Sequence, residues 1–481
     1  MRRREFDGDP YVPGHGDVRY AVRHYDLDLT YRVTGNQLAG VARLSVEVLA
    51  TTKAISVDLS GLKVTSIKAT GLTLPAPTTA PAKAGAKSGA KTNGTKTAAA
   101  RPPAVAKWSH TGGHLAVTFT GALPVGTRFE LTVAYRGNPQ PLRGPDGMAG
   151  WEELADGVIV ASQPHGSPSW FPCNDRASDK ATYRISVATD QDYAVVSGGV
   201  REPVTKAGRL RRWTYRMDAP MSPYLATVQI GPYAAMALPP GGSGVPMTVW
   251  HTPRLKQQVV TAWADQPAMM DLYCELFGPY PFEGYDVVVT EDDLDIPLES
   301  QAMSTFGANF ASRDWERQRL IAHELAHSWF GNAVTCADWA DVWLHEGFAC
   351  YAEWLWSPHA GEGSTDDQAR RHYDALAAKP QDLVIGQPGP DDMFDDRVYK
   401  RGALALHALR VCLGEETFFA VLRAWVARHR FGVVMTRDFF ETVLDVSGAD
   451  RHRRDEVAGI LDAWVYAAPL PPFPSAGSPT A

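Results

Sequence analysis

Alternating hydrophobic and polar positions dominate the first half of the chain. Between about Tyr20 and Ile230, apolar and polar side chains alternate in short segments bounded by Gly, Pro and Asn, among them YDLDLTYRV, AGVARLSVEVLA, RFELTVAYRG and ATYRISVAT. A period of two is typical of half-buried β-strands, and helical periodicity is nearly absent here. The pattern predicts an N-terminal tail over residues 1–19 and an all-β domain of antiparallel sheets over residues 20–236.

Helical periodicity takes over after a Pro/Gly cluster, PPGGSG, that separates TVQIGPYAAM from the segment MTVWHTP. Amphipathic helices are predicted in LKQQVVTAWADQPAMMDLYCELFG, YKRGALALHALRVCLG and TFFAVLRAWVARHR, and a strand in YDVVVTED. These elements indicate a second domain over residues 237–466 that mixes helices with a small sheet. The remaining residues, 467–481, are predicted to form a disordered tail.

One stretch inside the first domain breaks the alternation. Residues 75–107, PAPTTAPAKAGAKSGAKTNGTKTAAARPPAVAK, contain six basic residues and no acidic or aromatic residue. A segment of this composition cannot bury a core, so we predict a disordered insert between two strands. A tail that binds nucleic acid or a surface is the alternative interpretation of its charge.

Composition narrows the class of protein. The chain has 481 residues, a net charge of -7, and 44% hydrophobic against 21% charged residues, which suits two or three soluble domains. Its acidic balance argues against nucleic acid or an anionic membrane as the main partner. Five cysteines without a C-x-x-C pair do not form a disulfide framework. Because no secretory signal or membrane-spanning run is present, the expected location is cytoplasmic.

The motif HELAH supplies the candidate chemistry. On a helix, His323 and His327 lie roughly 40° apart around the axis, so both imidazoles can reach one ion. Glu346 follows after eighteen residues, and two histidines plus one carboxylate form a known catalytic zinc set that keeps a fourth position for water. We therefore predict one Zn²⁺ ion per chain; the alternative is a helix with two ordinary exposed histidines.

The residues beside these ligands define a hydrolytic role. A carboxylate at hydrogen-bond distance from a zinc-activated water can take its proton, so Glu324 is predicted to be the general base and then the proton donor to the leaving amine. His345 is not predicted as a fourth ligand, because adjacent helical positions point about 100° apart. Asp341 is predicted as the partner of a ligand histidine.

The stretch HELAHSWFGN, followed by WADVWLHEGFACY, resembles the gluzincin zinc aminopeptidases typified by aminopeptidase N, with leukotriene hydrolase as a bifunctional member. YPFEGYDVVV and RVYKRGALALHAL are similar to further segments of that family, so the likeness covers residues 23–464. It implies a multi-domain α and β fold, with an N-terminal all-β saddle-like domain followed by a thermolysin-like α/β zinc metallopeptidase domain. The implied activity is zinc-dependent removal of single residues from peptides with a free N-terminus.

The resemblance also implies roles for three further residues. Tyr399 corresponds to the family tyrosine that donates a hydrogen bond to the tetrahedral oxyanion. Glu299 corresponds to the residue that binds the substrate α-amine, although the family strand Gly-x-Met-Glu-Asn stands here as IPLES and keeps only the glutamate. Gln163 matches a residue that helps to bind the first substrate residue, and His165 stands where relatives have an acid.

Several alternatives stay open from the sequence. Three acidic residues near Glu299 could offer the same charge to the substrate amine: Asp292, Asp293 and Asp295. His165 suggests a weaker amine pocket with a pH response near neutrality. No helical-repeat domain is expected after the second domain, so the active site is expected to be open. An epoxide hydrolase on the same zinc site and a non-catalytic zinc-binding scaffold are the rival functions, and Glu324 argues against the scaffold.

Overall fold

The computed structural model describes residues 8–74, 103–145, 147–448 and 450–474, and the first half of these is built from strands. The strands are β1 (Tyr20–Arg32), β2 (Gln37–Val48), β3 (Thr52–Asp58), β4 (Lys63–Thr73), β5 (Val105–Thr111), β6 (His114–Leu123), β7 (Arg128–Gly137), β8 (Leu142–Gly144), β9 (Gly147–Leu154), β10 (Gly157–Ala161), β11 (Ala181–Thr189), β12 (Ala194–Val196), β13 (Val200–Arg201), β14 (Thr205–Ala207), β15 (Leu210–Met221) and β16 (Gln229–Gly231).

These strands form three sheets. The largest has the order β13-β15-β11-β1-β2-β7-β4, with β14 paired to β15, and the others are β12-β16-β10-β9-β8 and β3-β6-β5. Pairing is antiparallel except between β1 and β11, which run parallel. Every second residue of β1 from Tyr25 to Tyr31 is fully buried, as the alternating sequence predicts. The sheets therefore bury one face against a shared core.

The second half combines helices with a small sheet. Its strands are β17 (Ala234–Ala237), β18 (Met247–His251), β19 (Tyr285–Val289), β20 (Leu298–Ser300), β21 (Met303–Phe306), β22 (Thr335–Cys336) and β23 (Val433–Val434). Its helices are α1 (Lys256–Ala262), α2 (Gln266–Phe277), α3 (Trp315–Ala326), α4 (Trp343–Ala360), α5 (Thr365–Ala377), α6 (Asp396–Leu413), α7 (Glu415–His429), α8 (Thr436–Ser447) and α9 (Arg451–Leu461). Within residues 8–74, 103–145, 147–448 and 450–474, no helix is both long and apolar enough to cross a membrane.

The small sheet places its edge strand beside the helices. Its order is β17-β18-β19-β21-β20, in which β20 pairs antiparallel with β21 and ends the sheet. The boundary predicted after Met236 falls inside β17, which pairs with β18 across the Pro/Gly cluster. Because β17 belongs to the small sheet of the second half, we propose that the boundary between the two domains lies just before Ala234.

The predicted insert and tails are described only in part. Residues 75–102 lie outside the described residues, and β5 begins at Val105, so the insert ends before that strand. Residues 8–19 are not a free tail: Asp9 accepts a hydrogen bond from the Trp339 amide at 2.7 Å, and the Tyr11 hydroxyl accepts one from Gly389.

The C-terminal residues 467–474 are also docked, contrary to the expected disordered tail. The Arg401 guanidinium donates hydrogen bonds to the carbonyl groups of Ala467, Ala468 and Pro469. The hydroxyl of Tyr373 donates to the carbonyl oxygen of Pro471. Residues 475–481, the rest of the predicted tail, lie outside the described residues.

Candidate metal centre

Helix α3 carries the HELAH motif into the interior. It begins after Asp314, whose backbone is extended, and His327 is its C-terminal cap residue. His323, Glu324 and His327 are all at most 5% exposed. Because i and i+4 positions share a face, both imidazoles project from one side of α3 toward α4. The motif is therefore a buried group, not a pair of exposed histidines.

Helix α4 brings the third predicted ligand to this pair. Glu346 lies in the first turn of α4, and its Oε2 atom is 3.3 Å from His323 Nε2 and 3.5 Å from His327 Nε2. A tetrahedral zinc ion with bonds of about 2.1 Å separates its ligand atoms by about 3.4 Å. The three atoms thus have the spacing and the chemistry of a zinc ligand set.

The Nδ1 atom of each imidazole also has a hydrogen-bond partner. His323 Nδ1 lies 2.8 Å from Glu353 Oε1, and His327 Nδ1 donates to the Phe330 carbonyl oxygen at 2.9 Å. Such partners fix the tautomer and orient Nε2 toward the metal position. Glu353 in turn accepts a hydrogen bond from Arg319 at 3.1 Å.

Glu353 was not predicted from the sequence. It lies seven residues after Glu346 on α4, two helical turns away and hence on the same face, and this spacing is the signal that could have found it. The prediction that Asp341 supports a ligand histidine is wrong, because its carboxylate instead accepts a hydrogen bond from the Thr436 hydroxyl.

The site packs buried imidazoles and buried carboxyl groups close together. Burial alone would lower the pKa of His327, but Glu346 and Glu299 outweigh it and raise the pKa to about 9. Burial raises the pKa of Glu299 to about 7, against the opposing effect of His327. Burial likewise raises the pKa of Glu324 well above its usual range. The donor atoms that these groups bring together could hold a metal ion.

Glu324 faces the same space as the ligands. Carboxylate oxygens of Glu299 and Glu324 and a ring nitrogen of His327 lie within 4.8 Å of one another. The Glu324 Oε2 atom is buried and accepts no hydrogen bond from the part of the chain that the structure describes. Its acceptor capacity is therefore available to a water molecule or a substrate group beside the ligands.

Glu299 connects the small sheet to the β-rich half. It lies on the edge strand β20, and Gln163, which follows β10, donates a hydrogen bond from Nε2 to Glu299 Oε1 at 2.6 Å. Gln163 and Glu299, the two residues predicted to bind substrate, are thus hydrogen-bonded to each other. The described group around His327 includes Glu299 but none of the three aspartates considered as alternatives.

His165 does not provide the pH response near neutrality that its position suggested. Its ring lies against that of His15, with centroids 5.3 Å apart. Burial, followed by the effect of His15, lowers the pKa of His165 to about 4. The ring is therefore neutral at pH 7.

Helix α6 places Tyr399 over the first ligand. The α6 helix begins after Asp395, which caps it by accepting a hydrogen bond from the Arg397 amide. The ring of Tyr399 stacks on that of His323 with centroids 6.0 Å apart and planes 21° apart. Burial raises the pKa of Tyr399 well above its usual value, so its hydroxyl stays protonated as a donor. His345 accepts a hydrogen bond from the Cys336 amide and lies outside the ligand group.

Two family models match this chain in the same order as its two halves. The Peptidase M1 N-terminal domain model matches residues 21–225, and the Peptidase family M1 domain model matches residues 263–464. The chain therefore belongs to peptidase family M1. This confirms the family suggested by HELAHSWFGN and the predicted order of an N-terminal β-rich domain and an α/β domain.

Solved structures and curated relatives agree with this assignment. An M1 zinc metallopeptidase from Deinococcus radiodurans is 29% identical with a TM-score of 0.82, over 97% of this chain and 99% of that one. A mutant of an M1 zinc metallopeptidase from the same organism, bound to a Tyr-Ser-Ala substrate, is 28% identical with the same score and coverage. Aminopeptidase B of Mus musculus is 26% identical over 76% of this chain and 58% of its own length. Human glutamyl aminopeptidase is 27% identical over 64% of this chain and 34% of its own length, so the chain spans a third to three-fifths of these curated relatives.

Proposed function

We propose that this protein is a zinc-dependent aminopeptidase that hydrolyses the first peptide bond of peptides with a free N-terminus. The observation that carries the proposal is a buried carboxyl group, Glu299, grouped with Glu324 and His327 beside three side chains that could hold a zinc ion. Membership of peptidase family M1 and the similarity to aminopeptidases support it. The ion, when bound, supplies Lewis-acid chemistry to the peptide carbonyl and to a water molecule.

Glu324 performs the proton transfers in this proposal. Its Oε2 atom has no protein donor among the described residues, so it can accept the proton of the attacking water. The water oxygen forms a bond to the carbonyl carbon, the C–N bond breaks, and Glu324 returns the proton to the leaving amine. Burial raises the pKa of Glu324, which makes its carboxylate a stronger base for the first transfer.

Tyr399 stabilises the oxyanion. Stacking on His323 holds its ring over the ligand set, and its raised pKa keeps the phenol protonated at neutral pH. A preorganised O–H donor is most effective where negative charge develops in the transition state. Tyr399 therefore acts on the carbonyl oxygen, while Glu324 acts on the water and the amine.

Glu299 selects for a free amine. The α-ammonium group of a peptide pairs with its carboxylate, which Gln163 holds by a 2.6 Å hydrogen bond. An acetylated N-terminus lacks the charge and adds atoms at the same position. The selectivity for N-terminal residues thus rests on one buried ion pair formed only with the substrate.

Aminoacyl-anilides test the proposal directly. The zinc-loaded protein should release aniline from the unblocked substrates and not from their N-acetylated forms. The Glu324→Gln variant should keep one zinc per chain and lose at least about 1,000-fold in kcat, because the general base is gone. Equal cleavage of blocked and free substrates would remove the role of Glu299. Full zinc occupancy without hydrolysis of any anilide would indicate a non-catalytic zinc-binding scaffold. Hydrolysis of an epoxide but of no anilide would indicate an epoxide hydrolase.

A further inference from the structure

Lys180 reaches from the β-rich half into the half that holds the zinc ligands. It immediately precedes β11, and its Nζ atom lies within hydrogen-bond distance of four oxygen atoms of the other half. These are the carbonyl oxygen of Asn332 at 2.9 Å, the hydroxyl of Thr335 at 2.9 Å, and the carbonyl oxygens of Ala333 at 3.3 Å and Gly432 at 3.4 Å. Three of the four belong to the turn over residues 330–335, which follows α3 and its cap residue His327.

The ammonium group is paired with neutral oxygens alone. No carboxylate lies within 4.0 Å of Lys180 Nζ in the described ranges 8–74, 103–145, 147–448 and 450–474. Burial lowers the pKa of Lys180 to about 7, and the effect of Cys336 opposes this only in part. Placing a charge here costs free energy unless the surrounding oxygens satisfy it, so these four contacts hold the side chain in one geometry.

The turn over residues 330–335 is the support of His327. The Phe330 carbonyl oxygen accepts the hydrogen bond from His327 Nδ1, and the Asn332 amide donates to the His327 carbonyl oxygen at 3.0 Å. Gly331 has a φ of +117°, and a Cβ there would lie 3.2 Å from His327 Nδ1, so the turn passes very close to the ring. A shift of this turn would therefore move the partner that orients the second zinc ligand.

Lys180 also extends the hydrogen-bond chain of the turn. The Thr335 hydroxyl, which accepts from Lys180, donates to the Gly331 carbonyl oxygen at 2.6 Å. The Tyr224 hydroxyl, from the same half as Lys180, contacts that carbonyl at the longer distance of 3.4 Å. Among the described contacts, Lys180 thus makes the shorter and more numerous hydrogen bonds from the β-rich half to this turn.

We propose that Lys180 is a positioning residue for the metal centre: by holding the turn over residues 330–335, it keeps His327 Nε2 directed at the zinc position. Zinc affinity and turnover then depend on a side chain of the β-rich half. The proposal rests on the proposed function for its zinc site, but its effect on metal binding does not require turnover.

Replacement of the charge tests the proposal. Lys180→Met keeps an unbranched side chain as far as Cε and removes the amino group with its donors. We expect zinc affinity, measured by competition with a chromophoric chelator, to fall about 10-fold, as is usual when a group supporting a ligand is lost. At saturating zinc, kcat should fall about 10-fold while KM changes less than about threefold, because Glu299 is held separately by Gln163.

A matched control separates this effect from general destabilisation. Thr127→Val removes the 2.7 Å hydrogen bond from a buried hydroxyl to the Pro124 carbonyl oxygen, within the β-rich half and with no contact to the turn among the described residues. Its zinc affinity and kcat should equal those of the parent even if its melting temperature falls. If Lys180→Met folds and has the same zinc affinity and kcat as Thr127→Val, the proposal is overturned.

Chemical rescue of a second variant tests the proposal independently of the stability of Lys180→Met. Lys180→Ala removes the equivalent of propylammonium, so added n-propylammonium should restore zinc affinity at least threefold. Tetramethylammonium, which has the charge but no N–H donor, should not. Zinc affinity is the readout because an amine could also compete with substrate at Glu299. Absence of rescue, or equal rescue by both cations, would overturn the proposal. A parent that hydrolyses no anilide, yet loses zinc affinity on Lys180→Met, would contradict only the aminopeptidase function.

Discussion

Glu353 Oε1 lies 2.8 Å from His323 Nδ1, so a residue two turns beyond Glu346 on the same helix holds the ligand that α3 supplies. One helix therefore provides a metal ligand and also the orientation of another. Arg319 donates to the other oxygen of Glu353, and Lys400 lies 4.0 Å from it. The charge of Glu353 is thus balanced from two sides, which keeps it ionised beside the imidazole.

Replacing Glu353 should weaken zinc binding. Glu353→Gln keeps the size and an acceptor oxygen but loses the charge, and we expect zinc affinity to fall about 10-fold. Chelator competition on the purified protein provides the measurement. Glu316→Gln is the matched control, because Glu316 also pairs with Arg319, at 3.0 Å, but is exposed. Similar zinc affinity in the two variants would contradict the role of Glu353.

Removing the Tyr399 hydroxyl should slow the chemical step. Tyr399→Phe retains the ring stacked on His323, so substrate binding should change little. Loss of one oxyanion donor predicts a fall in kcat of about 100-fold with KM within about threefold. Steady-state kinetics on an unblocked anilide measure both constants. Tyr373→Phe loses a hydroxyl that contacts Pro471 outside the site and should retain the parent kcat; an unchanged kcat in Tyr399→Phe would exclude the oxyanion role.

Neutralising Glu299 should cost binding of the free amine. In Glu299→Gln, kcat/KM for unblocked anilides should fall at least about 30-fold, which corresponds to roughly 2 kcal/mol for one lost partner of a buried ion pair. Zinc content should stay at the parent value because Glu299 is not in the predicted ligand set. Asp295→Asn, on the preceding loop, should leave kcat/KM within about twofold. If kcat/KM falls more in Asp295→Asn than in Glu299→Gln, Asp295 and not Glu299 binds the substrate amine.

A buried aspartate in the β-rich domain predicts a pH-dependent stability. Burial raises the pKa of Asp179 to about 7, although Val22 and Asn174 donate hydrogen bonds to its Oδ2 atom. Between pH 4 and 7 the folded protein then holds one more proton than the unfolded chain, so its free energy of unfolding falls as the pH rises through this window.

Asp179→Asn should remove that dependence, because an amide oxygen can accept both hydrogen bonds without ionising. Its stability relative to the parent should increase by up to about 1.4 kcal/mol per pH unit from pH 4 to 7 and then stay constant. Urea unfolding at saturating zinc and several pH values measures the difference. The control variant Asp218→Asn, at an exposed position, should show no such trend. If the stability difference between Asp179→Asn and the parent does not change with pH, the pKa of Asp179 is not raised.

The sequence predicted the strands of the first half well because alternation reports directly which face of a strand is buried. It did not predict their partners. Strand β17 directly follows the strands of the first half in sequence, yet it pairs with β18 in the small sheet of the second half. Partner choice depends on contacts between distant segments, to which a local period of two is insensitive.

The proximity of His323 and His327 was predictable because i and i+4 positions share one face of a helix. The supporting groups were harder to predict, since Phe330 acts through its backbone carbonyl and Glu353 is an ordinary charged residue on a helix. Asp341 precedes α4, and its carboxylate contacts Thr436 instead of a predicted ligand histidine. Docking of residues 467–474 depends on Arg401, whose guanidinium contacts backbone carbonyls without any sequence signature.

The central claim is that one zinc ion is held between α3 and α4 by His323, His327 and Glu346. Anomalous diffraction at the zinc edge from crystals of the zinc-loaded protein tests it most directly. The account predicts one strong peak per chain, about 2.0–2.2 Å from Nε2 of each histidine and from a carboxylate oxygen of Glu346. A peak held by other residues, or a peak beyond bonding distance of Glu346, would contradict it.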